Sequence, residues 1–341
     1  MQIFDCKTKI ISGSDALTWL DRQQCRCLLL VTDPYFRENG WAEKIAGRVQ
    51  AETKTIFDKV KPDLLIALGG GSAMDTAKAM VYFAGENVKF VAIPTTSGSG
   101  SEVTNFSVLT HGEVKHPLID RRMQPDVAIL CAELVEKLPP SLVADGGFDV
   151  LSHAAEAFVA TKADAVSRAL AGNAFSTVFA SLPASFRGDT SVRGEIHLAS
   201  TMAGIAFSQA GLGMCHALSH SMGSVLHLPH GRLNGILLTE VIACNAAAAK
   251  TEYANLARMA GFEGSVDTVC VRNLRNGLIR LRKELHLPAT LQEAGISPQK
   301  LRQHMGQIVT AALQDPCMET NPLKADGPML RRVLEAVSGH G

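Results

Sequence analysis

The chain has 341 residues, 46% hydrophobic and 19% charged, with Lys+Arg and Asp+Glu both at 33. That length exceeds what one core usually serves, and that balance marks a well-buried globular chain, so two ordered domains are expected. Zero formal net charge without a Lys/Arg cluster argues against nucleic acid and against an anionic membrane surface. The opening "MQIFDCKTKIISGSDAL" carries charges and does not read as a signal peptide. Apolar stretches such as "DLLIALGGG" are too short to span a bilayer. Eight cysteines without a C-x-x-C fit reduced thiols in a cytoplasm.

In chain order, "CLLLVTD" is a buried-strand run ending at Asp33, and "ENGWAEKIAGRVQ" has helical spacing. "DLLIALGGGS" is a second apolar run ending in glycines, followed by the helical "AMDTAKAMVYFA". "KFVAIPTTSGSGSEVT" is a third, ending in a small-residue loop. Continuous apolar strands separated by helices predict a parallel sheet, whose ligands gather at the carboxyl ends of the strands. Past Pro139 and Pro140 the texture turns alanine- and leucine-rich with helical spacing, as in "SRALAGNAFSTVFASL". The expected organisation is an α/β dinucleotide-binding domain over 1–139 and an all-helical domain over 140–341, sharing a cleft.

Gly69, Gly70, Gly71 and Ser72 follow a strand and open a helix, so backbone N–H groups there can approach a diphosphate. The run is neither G-x-G-x-x-G nor a Walker loop, and a glycine-rich turn without a ligand is the alternative. The loop Pro94 to Glu102 offers hydroxyls and amides for a ribose or a nicotinamide amide. Asp33 can accept from adenosine ribose hydroxyls and would repel a 2′-phosphate, favouring NAD over NADP, unless it is a plain helix cap.

In the helical half, Asp149 and His153 stand at i and i+4, as do His216 and His220, and each pair shares one helix face. His230 follows a proline where the helix should have ended. A single histidine is more often a satisfied core or surface residue. One carboxylate with several imidazoles makes a shell suited to Fe(II) or Zn(II), and the spacing does not choose between these metals.

Together "GGGSAMDTAK", "AIPTTSGSGSEVT", "DVLSHAAEAF" and "CHALSHSMGSVLHLPHGRLN" resemble the iron-dependent, group III alcohol dehydrogenases, over nearly the whole chain. "FSQAGLGMCHALSH" and "HLPHG" resemble in particular the propanol and ethanol dehydrogenases of propanediol- and ethanolamine-using bacteria. The resemblance implies a Rossmann-like cofactor domain followed by a helical metal-binding domain. It implies metal ligation by Asp149, His153, His216 and His230, with Fe(II) favoured and Zn(II) accepted. His220 falls where the family keeps a non-ligating histidine near substrate and nicotinamide, and is the expected proton relay. His227 is expected in the pocket wall, or else as a plain helix-end histidine. NAD contacts carry over to Asp33, Gly70, Gly71, Ser72, Asp75, Thr95, Thr96, Ser99 and Lys115.

The implied activity is NAD(H)-linked alcohol oxidation and aldehyde reduction on short primary alcohols such as 1-propanol or ethanol. A diol dehydrogenase or lactaldehyde reductase of the same fold, or an impaired relative serving in assembly, are the alternatives. A homodimer or higher homo-oligomer is expected, with the strand "KTKIIS" able to pair across it, in the cytoplasm and in association with a bacterial microcompartment. Two departures stand out. "AETKTIFDKV" looks like the family's second strand, yet "KPDLLIALGGG" follows without the family's crossover helix, although parallel neighbours need about a dozen connecting residues. Either that segment is deleted or absent, or Thr53 to Val60 pairs differently. Arg232 replaces the usual apolar residue and puts a charge near the pocket rim.

Overall fold

The computed structural model describes residue 4 and residues 6–54, 62–84, 88–111 and 114–339. Two compact units emerge: Asp5–Leu138 with Arg193–Gly204, and Pro139–Val192 with Ile205–Gly341.

In the first unit the strands are β1 (Lys9–Ser12), β2 (Gln24–Thr32), β3 (Gln50–Lys54), β4 (Leu64–Gly69) and β5 (Lys89–Pro94), followed by β6 (Phe106–His111), β7 (Val114–Ile119) and β8 (Val127–Leu130). Six of them form one sheet in the order β1-β8-β5-β4-β2-β3, and every pairing in it is parallel. Between them run the helices α1 (Pro34–Glu38), α2 (Trp41–Arg48), α3 (Gly71–Ala84) and α4 (Ala132–Val135). Every residue of β4 is buried, and the period of two explains how. Leu64, Ile66 and Leu68 pack with Leu20, Phe36 and Ile45 on one face. Leu65 and Ala67 pack with Met74, Ala77 and Val81 of α3 on the other. A strand covered on both faces has no position for a polar residue, which is why it reads as an unbroken apolar run. Strand order reverses between β2 and β4, so the switch-point crevice lies at their carboxyl ends, beside Asp33 and the glycine run.

Three details add to the sequence reading. β3 and β4 are not neighbours; β2 lies between them, pairing Cys27 with Thr53 on one side and Leu28 with Leu64 on the other. The link therefore need not be a neighbour-to-neighbour crossover. Of the segment in question, residues 55–61 lie outside the described residues. β1 stands at one edge of the sheet and pairs there with β8, Lys9 opposite Val127 through Ser12 opposite Leu130. The antiparallel β6–β7 hairpin, Phe106 opposite Ile119, has too little apolar alternation to stand out in sequence.

From residue 140 onward the described residues hold only helices and turns. The helices are α5 (Pro140–Val159), α6 (Ala165–Phe186), α7 (Arg193–Ala210), α8 (Met214–Leu226), α9 (His230–Met259), α10 (Asp267–Glu284), α11 (Pro298–Gln314) and α12 (Gly327–Ala336). α5 is buried almost all round, as a helix at the centre of a bundle must be. No described helix is long and apolar enough to cross a membrane.

The first turns of α7 belong with the first unit and lie on the loop after β5. Gly100 there is left-handed (φ +61), and a Cβ on Gly204 would stand 2.9 Å from the Gly100 carbonyl oxygen and 2.8 Å from Val103 Cγ2. Backbone cannot yield cheaply to such a contact. Gly204→Ala is expected to cost about 1–3 kcal/mol through overpacking, read as a lowered Tm in thermal unfolding.

Candidate functional site

α5 carries Asp149 and His153 into the apolar interior, 7% and 5% exposed. A buried carboxylate must find donors or a cation. α8 and α9 supply them. Asn234 Nδ2 donates to Asp149 Oδ1 at 2.7 Å and lies 3.2 Å from both His216 Nε2 and His230 Nε2. Asp149 Oδ1 is 3.9 Å from His216 Nε2 and 3.5 Å from His230 Nε2. The His153 ring is stacked between those of His216 and Phe207, centroids 4.4 Å and 4.5 Å away. Its Nδ1 is buried without a hydrogen-bond partner. Ligand atoms of Asp149, His153 and His216 all lie within 4.8 Å of one another.

The backbone makes this convergence possible. Pro229 starts α9, so His230 is its first residue, and Gly231 beside it sits against α5. A Cβ on Gly231 would be 2.0 Å from the Asp145 carbonyl oxygen, so only glycine permits that approach. Arg232 then grips Asp145 through Nε at 3.1 Å and Nη2 at 2.9 Å. The charge expected at the pocket rim is thus taken up by a carboxylate one helical turn before Asp149, which ties α9 to α5.

Glu156 was not singled out from sequence, although it lies three residues after His153 on the same helix face. Its buried carboxylate accepts from the backbone N–H groups of Gly213 at 3.0 Å and Cys215 at 2.6 Å, at the start of α8. It also accepts from His216 Nδ1 at 2.7 Å. A carboxylate can only accept, so Nδ1 carries the proton and Nε2 is turned towards Asp149. Asn234, one turn after His230, was equally legible only by spacing.

Electrostatics follow from this packing. Burial opposes charge on Asp149, yet His153, His230 and His216 hold its carboxyl well below the usual carboxylate range. Burial also opposes charge on His216, but hydrogen bonds to Asp149 and Glu156 outweigh it and raise the ring to about 9. His153 is driven down to about 3 by burial, against the pull of Asp149. One carboxylate oxygen and several imidazole nitrogens, gathered about the Asn234 amide, form a donor set that fits Fe(II) or Zn(II) once the His216 Nε2 proton has left.

His220, one turn beyond His216, lies outside that ligand group. Its ring stacks on His230 at 5.2 Å, and Nδ1 donates to Asp315 Oδ2 at 2.9 Å. The exposed His227 ends α8 in the left-handed conformation (φ 56), the position of a helix-end histidine.

In the first unit, Asp33 caps α1, accepting from Phe36 N at 3.1 Å, while its Oδ2 faces Gly69. Gly70, Gly71 and Ser72 lead into α3, whose first N–H groups have no partner inside the helix. Thr95 N bonds Gly69 O at 3.1 Å, and Thr96 and Ser99 lie nearest to Gly70 and Gly71. These residues share the carboxyl edge of β2, β4 and β5. Asp75 is placed differently, its backbone oxygen taking the Ser107 hydroxyl and burial raising its carboxyl against the pull of Lys78. Lys115 lies in β7 opposite Thr110, and its side chain is outside the described residues.

Sequence reading also missed what holds that edge. Lys78 is fully buried and donates to Ser101 Oγ at 2.8 Å, Thr104 Oγ1 at 2.9 Å and Phe106 O at 2.7 Å. Glu102, also buried, accepts from Thr201 Oγ1 at 2.6 Å. His197, one turn before Thr201 on α7, bonds Ser97 through Nδ1 at 3.0 Å.

Burial pulls His197 down to about 4, whereas an unfolded histidine titrates near 6.5. The unfolded chain takes up this proton first, so stability present above about pH 6.5 drains away as pH falls towards about 4, by about 3 kcal/mol in all. His197→Gln is expected to flatten that acid limb, measured as denaturant midpoint against pH.

Comparison with known proteins bears directly on these two sets of residues. Residues 51–131 match the sequence family described as "Iron-containing alcohol dehydrogenase", and residues 143–337 match "Fe-containing alcohol dehydrogenase family, C-terminal". The chain is 37% identical to the 1-propanol dehydrogenase PduQ of Citrobacter freundii, covering 98% of this chain and 99% of that one. That alignment runs over 367 positions, at least 26 more than this chain has residues, so gaps fall within it. It is 36% identical to the NADPH-dependent butanol dehydrogenase of Clostridium saccharobutylicum, over 89% and 86% of the two chains. Among solved structures, the iron-containing alcohol dehydrogenase of Thermococcus thioreducens superposes with a TM-score of 0.90 at 29% identity, over 98% and 99% of the chains. With both halves matched in order and relatives aligned along nearly its full length, this chain belongs to the iron-containing alcohol dehydrogenase family.

Proposed function

We propose that this chain is a metal-dependent, NAD(H)-linked alcohol dehydrogenase that also reduces aldehydes, acting on short primary alcohols with 1-propanol foremost. The observation that carries this reading is that Asp149, His216 and His230 meet at the Asn234 amide, with a ligand atom of His153 within 4.8 Å of those of Asp149 and His216. Those four side chains would hold the cation. Bound there, Fe(II) or Zn(II) supplies Lewis acidity to an alcohol or carbonyl oxygen, and NAD(H) supplies the hydride couple. The named likeness to a 1-propanol dehydrogenase supports the substrate class. Association with a microcompartment and assembly as a homodimer or higher homo-oligomer belong to the same reading.

Each protein group then has a defined task. Glu156 keeps one proton of His216 on Nδ1, so the proton that a bound cation would displace is the one on Nε2, which then serves as the ligand atom. Asp149 offsets cationic charge inside an apolar bundle. Asp315 holds the proton of His220 on Nδ1, leaving Nε2 as the atom that takes or returns the proton of the substrate oxygen. Asp33, Gly70, Gly71, Ser72, Thr95, Thr96 and Ser99 would bind the dinucleotide along the sheet edge, with Asp75 and Lys115 placed beside that path.

Chelated protein is expected to lose NADH oxidation with propionaldehyde and to regain it on anaerobic Fe(II) or Zn(II) loading; a protein that binds neither metal and stays inactive would end this reading. Glu156→Gln should weaken metal affinity by about 10–100-fold, measured by competition with a chelator, while Glu156→Asp keeps part of it. A panel of diols and lactaldehyde in the same assay ranks the substrates by kcat/KM.

Cofactor preference rests on Asp33, whose charge sits at the switch point and disfavours a 2′-phosphate. Asp33→Ser keeps an oxygen to cap α1 while removing the charge. It is expected to lower the NADH-to-NADPH ratio of kcat/KM by about tenfold, ~1.4 kcal/mol; an unchanged ratio would place cofactor choice elsewhere.

A further inference from the structure

A second group of ligand-type side chains lies beside the first. We propose that His220, Asp315 and Cys317 form a separate divalent-cation site of the zinc class. Their ligand atoms all lie within 4.8 Å of one another, and all three residues are half-buried, so a cation has a way in and water can complete its shell. The carboxylate is already oriented. Asp315 ends α11 and caps the following turn, Pro316–Thr320, where its Oδ1 accepts from Cys317 N at 2.8 Å. Its Oδ2 accepts from His220 Nδ1 at 2.9 Å. One oxygen, one imidazole nitrogen and one sulfur make a mixed set that suits Zn(II) or Co(II) and is too soft for Mg(II) or Ca(II).

Burial and the Asp315 carboxylate keep the Cys317 thiol protonated when no cation is present. Cation entry therefore displaces the thiol proton, one proton released to solvent for one cation bound. Nothing in this step is oxidised or reduced. Occupancy would move the His220 proton to Nε2, a consequence that rests on the role given to His220 above; the site itself does not depend on that role.

Sulfur makes the test selective, because the Asp149 cluster offers only oxygen and nitrogen ligands. Chelated, full-length protein is titrated anaerobically with Co(II) alone. Two equivalents are expected, one of them bringing a thiolate-to-cobalt charge-transfer band in the near ultraviolet. Cys317→Ser and Cys317→Ala should each lose that band and the second equivalent while keeping the first, and Asp315→Asn should weaken the second by at least about tenfold, ~1.4 kcal/mol. A single equivalent without the band, or a band that survives both Cys317 variants, overturns the proposal. Loss of the first equivalent alone, with the band intact, would sink the reading of the Asp149 cluster and leave this one standing.

Discussion

A carboxylate set in the middle of an apolar helix must be met by donors or by a cation, and Asp149 imposes that demand on the helical unit. Everything nearby is arranged to answer it. α8 brings His216, α9 brings His230 and Asn234, and α5 itself adds His153 one turn on. Apolar burial makes the demand severe: Phe148, Val150 and Leu151, the neighbours of Asp149 on α5, are fully buried, and Asp149 itself is 7% exposed. Polar residues left unmatched there would cost several kcal/mol.

Glu156 is the second constraint, and it couples a helix end to a ring. The start of α8 has backbone N–H groups without carbonyl partners, and Gly213 brings no side chain to cap them. The Glu156 carboxylate fills that role from α5 and in the same contact fixes the tautomer of His216. Helix capping and ligand orientation are therefore one interaction here. The Arg232–Asp145 pair and the close approach at Gly231 do the corresponding work at the start of α9.

In the first unit, the loop after β5 is held by a buried ammonium as well as by Val103, buried against Gly204. Lys78 spends all three of its protons on Ser101, Thr104 and Phe106. Burial pulls it down to about 7 against the carboxylates of Asp75 and Glu102. α3 supplies this polar anchor from beneath, leaving the loop's remaining hydroxyls and amides to face a ligand.

The sequence by itself determined what repeats locally. Unbroken apolar runs marked β2, β4 and β5 as covered on both faces, and i, i+4 spacing paired Asp149 with His153 and His216 with His220, because a helix puts such residues on one side whatever surrounds it. Only the tertiary structure decided who meets whom across elements. That β2 separates β3 from β4, that Glu156 takes the Nδ1 proton of His216, that Asn234 stands among three acceptors, and that Asp315 reaches His220 from 95 residues away leave no periodic trace. Those contacts depend on how whole helices and strands dock, and docking is set by the sum of many buried surfaces rather than by any short stretch of chain.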